Sequence, residues 1–295
     1  MVNILSLFDG MSCGQIALNK INFKYDNYYA SEIDDKTILI TQINYPNTIQ
    51  LGDITKIKDS DLPQIYLMMG GSPCQGFSTA GKNLNFNDPR SKLFFEFVRL
   101  LEEIKPKYFL LENVKMKKEH RDIISNYLGV EPIEINSSLV SAQDRKRLYW
   151  TNIPNITQPR DKKIYLKDIL EKTPNDNLYL SEKVSDRYYS SPTKIVNTKS
   201  CVIGKLSEYQ GDRIFDINCK ASSLSANGGN NAGGSCNIVF DPITNNLRRL
   251  SPIECERLQN VPDNYTDGIS ITQRYKMLGN GWTVDVISHM LKNMK

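Results

Sequence analysis

The sequence predicts an α/β protein, a doubly wound and mostly parallel sheet with a smaller, irregular second domain. Three observations predict it. Short apolar runs alternate with amphipathic stretches through the first half of the chain. The alternation stops near Trp150, where a polar, irregular region begins and runs to Asn246. Order returns at Leu250. A length of 295 residues suits one large domain with a smaller companion.

The elements follow in order. "NILSLF" reads as the first strand, "DGMSCG" as a turn and "QIALNKI" as a short helix. "YYASEI" is a second strand, followed by a helix through "DKTILITQIN". Asp53, in "LGDIT", ends what would be a third strand, and "IYLMMGG" is the next. "SKLFFEFVRLLEEI" is a helix, because Leu93, Phe94, Phe97, Leu100, Leu101 and Ile104 fall on one face. "KYFLLENV" is a strand that starts just after Pro106. Near the end, "SPIECERL" and "TVDVISHMLKNM" read as helices. The Gly/Asn-rich stretch from Ala226 to Ser235 has the composition of a flexible linker.

Composition removes several function classes. No apolar run approaches the roughly 20 residues of a membrane span. The N-terminus lacks the basic region and cleavage site of a signal peptide, so a cytoplasmic protein is expected, and the sequons at Asn136, Asn155 and Asn264 carry no meaning. The six cysteines are scattered without a C-x-x-C pair, which argues against a disulfide framework or a zinc site. The only two histidines, His120 and His289, argue against a His-based triad and against a multi-His metal centre, so no metal is expected. Acid–base work then falls to carboxylates and arginines. A net charge of +4 is compatible with a polyanionic partner without demanding one.

Chemistry concentrates at predicted strand ends. In "LFDGMSCG", Gly10 and Gly14 sit between a strand and a helix, where bare backbone lets a ligand come close. A tight strand–helix turn asks for glycine on its own account as well. Glu32, at the end of the next strand, suits the two hydroxyls of a ribose. The G-x-G-x-x-G fingerprint is missing, so an adenosine-type ligand without a pyrophosphate fits better than a dinucleotide. "GFSTAGKN" resembles a phosphate loop but ends in Asn83, without the hydroxyl that holds magnesium.

"GGSPCQGFS" places Cys74 on bare backbone just past a strand, facing the ligand crevice of such a sheet. A reactive thiol needs access and positive neighbours. Glu112 and Asn113, in "LLENV", end a parallel strand and are expected in the same crevice. A carboxyl kept protonated by burial could serve there as an acid, while a helix-capping or solvated Glu is the plainer alternative. "SAQDRKRLYW" puts Gln143, Arg145 and Arg147 at alternate positions, hence on one face of a strand. Such a row could lower a thiol pKa or grip phosphate. It is equally what a solvated basic edge strand looks like.

Taken together, "GGSPCQGFS", "LLENV", "AQDRKRLYW", "LRRLSPIECERLQNVPDNYT" and "MLGNGWTVDVI" resemble, in content and order, the motifs of the cytosine-C5 DNA methyltransferase family. The resemblance covers nearly the whole chain. "FDGMSCG" and "LGNGWTV" resemble the animal de novo enzymes, whereas "LSANGG" and the compact length resemble bacterial or phage restriction–modification methylases. The implied fold is a Rossmann-like S-adenosylmethionine-dependent methyltransferase sheet. Residues 1–160 and 247–295 would form the catalytic, cofactor-binding domain, and residues 161–246 the target-recognition domain.

The resemblance also implies roles. Phe8, Asp9, Gly10, Cys13 and Gly14 would contact the cofactor S-adenosylmethionine, with Pro73 beside it. Glu32 would take its ribose, Ile33 would lie beside its adenine, and Asp53 and Ile54 would read the adenine edge. Asn280, Gly281 and Trp282 would close the pocket. Cys74 would attack C6 of a cytosine flipped out of double-stranded DNA, Glu112 would hold N3 and the exocyclic amine, and Arg147 with Arg145 would orient the base. The loop from Gln75 to Lys92 would close over it. Gln75, Ser78, Gln143, Gln210, Arg213, Gly228 and Gly229 would touch DNA. A cognate restriction endonuclease would be a partner. Transfer RNA cytosine-C5 methyltransferases share these motifs, but their "CFT" tripeptide is missing. An inactive regulatory homologue would have lost residues that this chain keeps.

Overall fold

The computed structural model describes residues 1–72, 89–190, 201–206, 213–226 and 237–295. The chain forms two compact units. The first comprises Met1–Asn136, Lys146–Gln158 and Val286–Lys295, and the second Ser137–Arg145 and Pro159–Asp285. Residues 247–285, expected with the cofactor-binding domain, thus pack within the second unit.

The first unit starts with β1 (Asn3–Leu7), α1 (Cys13–Lys20), β2 (Asn27–Ser31), α2 (Asp35–Asn44) and the two-residue β3 (Ile49–Gln50). β4 (Leu67–Gly71), α3 (Pro89–Ile104), β5 (Tyr108–Val114), α4 (Lys118–Leu128) and β6 (Ile133–Asn136) follow. The short β7 (Gln143–Asp144) belongs to the second unit, and β8 (Lys146–Thr151) returns to the first. The sheet order is β3-β2-β1-β4-β5-β8-β6. The first five strands run parallel, and β8 pairs antiparallel with both β5 and β6.

Parallel strands covered by helices read as apolar runs, and β1 and β4 carry no exposed residue. The chain moves outward from β1 to β3, then returns to place β4 on the other side of β1. The gap between the ends of β1 and β4 is therefore the switch point at which open α/β sheets bind ligands. Phe94, Phe97 and Leu100 are fully buried against the sheet, and Leu93, Leu101 and Ile104 are packed at the margin, as the periodicity of α3 predicted. Trp150 is fully buried and donates its indole N–H to Ser125 Oγ at 3.0 Å.

The second unit holds α5 (Glu182–Ser190), β9 (Val202–Lys205), β10 (Arg213–Phe215), β11 (Ala221–Ser222), β12 (Ile238–Asp241) and β13 (Asn246–Arg249). Then come α6 (Pro252–Leu258), α7 (Ile271–Asn280) and the start of α8 (Val284–Leu291). In its four-stranded sheet, β13-β12-β10-β9, the buried residues Ile214, Ile238 and Leu247 form a small apolar cluster. Charge supplements that core. Fully buried Arg248 donates to Asp241 at 2.9 Å and, with both terminal nitrogens, to Glu254 at 2.8 Å. Burial opposes the Arg248 charge, yet the bonds and charges of Glu254 and Asp241 outweigh it and raise its pKa. Glu254 also completes the capping box of α6 with Ser251.

The cysteine expectation needs correction. Cys201 and Cys219 form a disulfide, their Cα atoms 5.6 Å apart. β10 runs back along β9 and brings the two flanks together, with Asp216 N bonded to Cys201 O at 3.1 Å. Scattered spacing did not signal this pairing.

Candidate active site

β1 delivers the chain into a loop with an unusual backbone. Phe8, Gly10 and Ser12 have φ of 55°, 59° and 59°. Glycine takes this conformation freely, whereas a bulky aromatic does so only under constraint from its surroundings. Such strain concentrates at ligand sites. Several bonds hold the loop: Asp9 N donates to Ser31 O at 3.0 Å, and Tyr28 Oη to Asp9 Oδ1 at 2.8 Å. Ser12 Oγ donates to the other Asp9 oxygen. Burial pushes the Asp9 carboxyl up to about 6, against the pull of the Ser12 and Tyr28 bonds and with a further push from Glu32.

Glu32 leaves β2 beside this loop. Its Oε2 accepts Gly10 N at 2.9 Å, and its Oε1 accepts Ile33 N at 2.7 Å and Asp34 N at 3.0 Å. The backbone thereby fixes the carboxylate and fills three of its roughly four acceptor sites, which leaves capacity for a further donor on Oε2. Ile33 next to it is 74% exposed, a large apolar side chain without cover. At Gly14, the second residue of α1, a Cβ would lie 2.6 Å from Met69 Cε and 2.7 Å from Tyr28 Oη, so a larger residue would make those side chains shift. Cys13 is buried beside it.

Asp53 caps a helical turn (Ile54–Lys56), accepting Thr55 N and Thr55 Oγ1, each at 2.9 Å. These bonds hold its carboxyl below the usual range. It lies beyond β3, not at a strand end. The Ile54 side chain is packed into the core of the sheet, so only its backbone is available to a ligand.

The second cluster lies at the far ends of β4 and β5. Glu112, buried in β5, accepts Arg147 Nε at 3.0 Å. The β5–β8 register, with Glu112 opposite Tyr149 and Val114 opposite Arg147, brings the two together. Asn113, 1% exposed, donates to Ser72 Oγ at 3.1 Å and accepts Val114 N at 2.8 Å. Ser72 is the last described residue before 73–88. Cys74, Pro73, Gln75 and Ser78 lie outside the described residues, as do Gln210, Gly228 and Gly229 and the decoy loop. Among the described residues no His, Cys, Asp and Glu side chains cluster to hold a metal, and no helix is long and apolar enough to cross a membrane.

Three expectations fail here. Gln143, Arg145 and Arg147 do not share a strand face, because the ladder breaks at Arg145: β7 pairs with β11, and β8 with β5 and β6. Gln143, expected at DNA, is fully buried, bonded to Leu258 O at 2.7 Å and Gln259 Oε1 at 3.0 Å. Arg145, expected beside Arg147, is 4% exposed and spends its guanidinium on backbone carbonyls and one serine of the second unit. Arg213, half-buried, begins β10 opposite Lys205. Asn280, Gly281 and Trp282 lie in the second unit at the end of α7, with Asn280 exposed. Sequence reasoning passed over Ser12, Tyr28 and Ser72. The period-2 pattern of β2 could have pointed Tyr28 inward, but nothing local announced its bond to Asp9.

The strained loop after β1, the Glu32 carboxylate held by backbone N–H groups and the buried Glu112–Arg147 pair all lie at the carboxyl ends of the parallel strands. The chain belongs to the C-5 cytosine-specific DNA methylase family, whose model matches residues 2–295. It is 33% identical to the type II methyltransferase M1.ScrFI of Lactococcus lactis subsp. cremoris, over 99% of this chain and 77% of that protein. It is 31% identical to M.HaeII of Haemophilus aegyptius, over 98% and 92% of the two chains. Among solved structures, a methyltransferase of Entamoeba histolytica, EhMeth, superposes with a TM-score of 0.76 at 19% identity over 99% of this chain and 97% of that one. A prophage-encoded methyltransferase from E. coli described as a DNA modification enzyme gives 0.74 at 19% identity, over 99% and 98%.

Proposed function

We propose that the protein methylates C5 of a cytosine flipped out of a short specific duplex sequence, through a covalent adduct with Cys74. The observation that carries the reading is the Glu112–Arg147 pair at 3.0 Å, set at the end of the strand next to the one that leads to Cys74. The residues around the first loop fit S-adenosylmethionine. Glu32 would bind the ribose hydroxyls, Ile33 would cover one adenine face, and Asp53 with the Ile54 backbone would meet the adenine edge. Phe8 to Gly14 would line the methionine side. When bound, the cofactor supplies the methyl group.

C5 of cytosine is too weak a nucleophile to react unaided. The Cys74 thiolate adds to C6, forming a carbon–sulfur bond and pushing the ring electron pair onto C5. Glu112 holds N3 and the exocyclic amine, and proton donation at N3 accommodates the developing charge. Arg147 fixes the Glu112 carboxylate and approaches the base from β8. After methylation the C5 proton passes to solvent water, the electron pair of that C–H bond re-forms the C5–C6 double bond, the thiolate departs and N3 returns its proton to Glu112. None of this is possible inside a stacked duplex, so the base is extruded. Residues 161–246, with Gln210, Arg213, Gly228 and Gly229, would read the duplex. A cognate restriction endonuclease as partner and action on DNA in the cytoplasm belong to the same reading.

The test is transfer of label from S-adenosylmethionine to duplex DNA and to transfer RNA, by wild type and Cys74→Ser, with bisulfite sequencing of the product. Label on DNA that disappears in the variant is expected, and the sequencing identifies the target. Label on RNA alone, or none from folded protein that binds cofactor, overturns the reading.

A further inference from the structure

The turn that presents Asp53 is gripped from two sides, both within the first unit. Upstream, Ser31 Oγ, at the end of β2, donates to Gly52 O at 2.7 Å, and Ser31 is buried at 3% exposure. Gly52 has a φ of 72°, so this bond pins a bend that glycine takes freely. Downstream, Arg99 Nη2, on α3, donates to Ile57 O at 3.1 Å and to Ile54 O at a longer 3.4 Å. Two carboxylates of the same helix set the plane of that guanidinium. Its Nε donates to Glu96 at 2.8 Å and its Nη1 to Glu103 at 2.7 Å. A guanidinium is a rigid planar fork, so fixing two nitrogens aims the third.

The two grips supply what packing does not. The Ile54 side chain is held in the core of the sheet, which sets where the turn sits. One apolar anchor does not set how the turn is rotated about it, because apolar burial is non-directional. Hydrogen bonds to carbonyls on both flanks are directional and fix that rotation. Asp53 meets its own turn with one oxygen only. Both bonds from Thr55 fall on Oδ1, so the turn does not occupy Oδ2. The rotation of the turn decides where Oδ2 points.

We infer that Arg99 and Ser31 are positioning residues that aim Asp53 at the exocyclic amine of the adenine, and so set the selection of adenine over a base with a carbonyl in that place. The inference rests on the proposed role of Asp53 at the adenine edge. A carboxylate accepts from an amine and repels a carbonyl oxygen. Discrimination is therefore large when the carboxylate is held and falls when it can swing away. The plainer role for Arg99 is to brace α3 through Glu96 and Glu103, and pairs this exposed add little.

The test uses the full chain without DNA and two ligands, S-adenosylhomocysteine and its deaminated analogue S-inosylhomocysteine. Isothermal titration gives a Kd for each. Wild type is expected to prefer the amine by about tenfold or more, the scale of a lost charge-assisted bond. Arg99→Met keeps the apolar stem, drops the grip and should bring the preference to within about threefold, chiefly by weakening the adenine ligand. Ser31→Ala removes the upstream bond alone and should lower the preference partially, which keeps the inference testable if Arg99→Met fails to fold. Either folded variant that keeps the wild-type preference overturns the inference, whether it binds both ligands less tightly in proportion or loses only thermal stability, as a purely structural residue would. Wild type that binds both ligands alike overturns it too. Wild type that binds neither overturns the cofactor reading itself, and the inference with it, which is a separate result.

Discussion

Asn113 Nδ2 lies 3.1 Å from Ser72 Oγ, joining the ends of two neighbouring parallel strands across 41 positions of chain. Both side chains are buried, at 1% and 5% exposure. The bond fixes the backbone just before the segment that holds the proposed nucleophile. Asn113→Ala should therefore lower kcat by about 10- to 100-fold, the scale of a small misplacement of a reacting group. Cofactor affinity should hardly change. Steady-state kinetics with cofactor titration check this split; an unchanged kcat would assign the bond to stability alone.

Glu112 and Arg147 are expected to act as a unit. Glu112→Gln should reduce methyl transfer by about 100-fold or more, within the span of general acid–base effects. Arg147→Ala should cost a similar factor, and the double variant little more than either single one, because each change disables the same pair. Labelled transfer under single-turnover conditions measures all three.

Glu32 is fixed by three backbone N–H groups and retains acceptor capacity on Oε2. Glu32→Ala should weaken binding of S-adenosylhomocysteine by at least about tenfold, the scale of a lost charge-assisted bond. Ile33→Ala should weaken it less. Isothermal titration without DNA reads both.

Asp9 predicts a pH dependence of stability. Its carboxyl is raised from 3.8 to about 6, mainly by burial. The folded state thus binds this proton more tightly than the unfolded chain does. Below pH 4 both states hold the proton and the group costs nothing. As pH rises toward 6, the unfolded chain ionises first, and the protein loses stability of about 3 kcal/mol, at roughly 1.4 kcal/mol per unit. Asp9→Asn should flatten this part of the profile, measured by urea unfolding at intervals between pH 4 and 7.

Arg248 anchors the second unit through two buried carboxylates. Arg248→Met leaves both without their partner and should cost about 3–5 kcal/mol. Differential scanning calorimetry should show a fall in Tm on the order of 10 °C. Glu254→Gln removes the charge but preserves much of the shape and should cost less.

The sequence by itself determined the parallel sheet, the buried face of α3, the loop after β1 and the strand ends at Glu32 and Glu112. These rest on local periodicity, and a local pattern is legible because neighbours in the chain create it. α4 and α7, "KEHRDIISNYL" and "ITQRYKMLGN", are mostly polar, and only a few apolar positions such as Ile124 and Leu128, or Tyr275 and Leu278, mark the face that each buries. The tertiary structure alone decided which polar side chains meet. Gln143 and Arg145 looked like a row on one strand until the chain broke there and buried both in another sheet's surroundings. The Arg147–Glu112 pair, the Asn113–Ser72 bond, the Tyr28–Asp9 bond and the Cys201–Cys219 bridge each join residues far apart in the chain. Such contacts depend on strand order and register, which the whole packed core selects and no local stretch encodes.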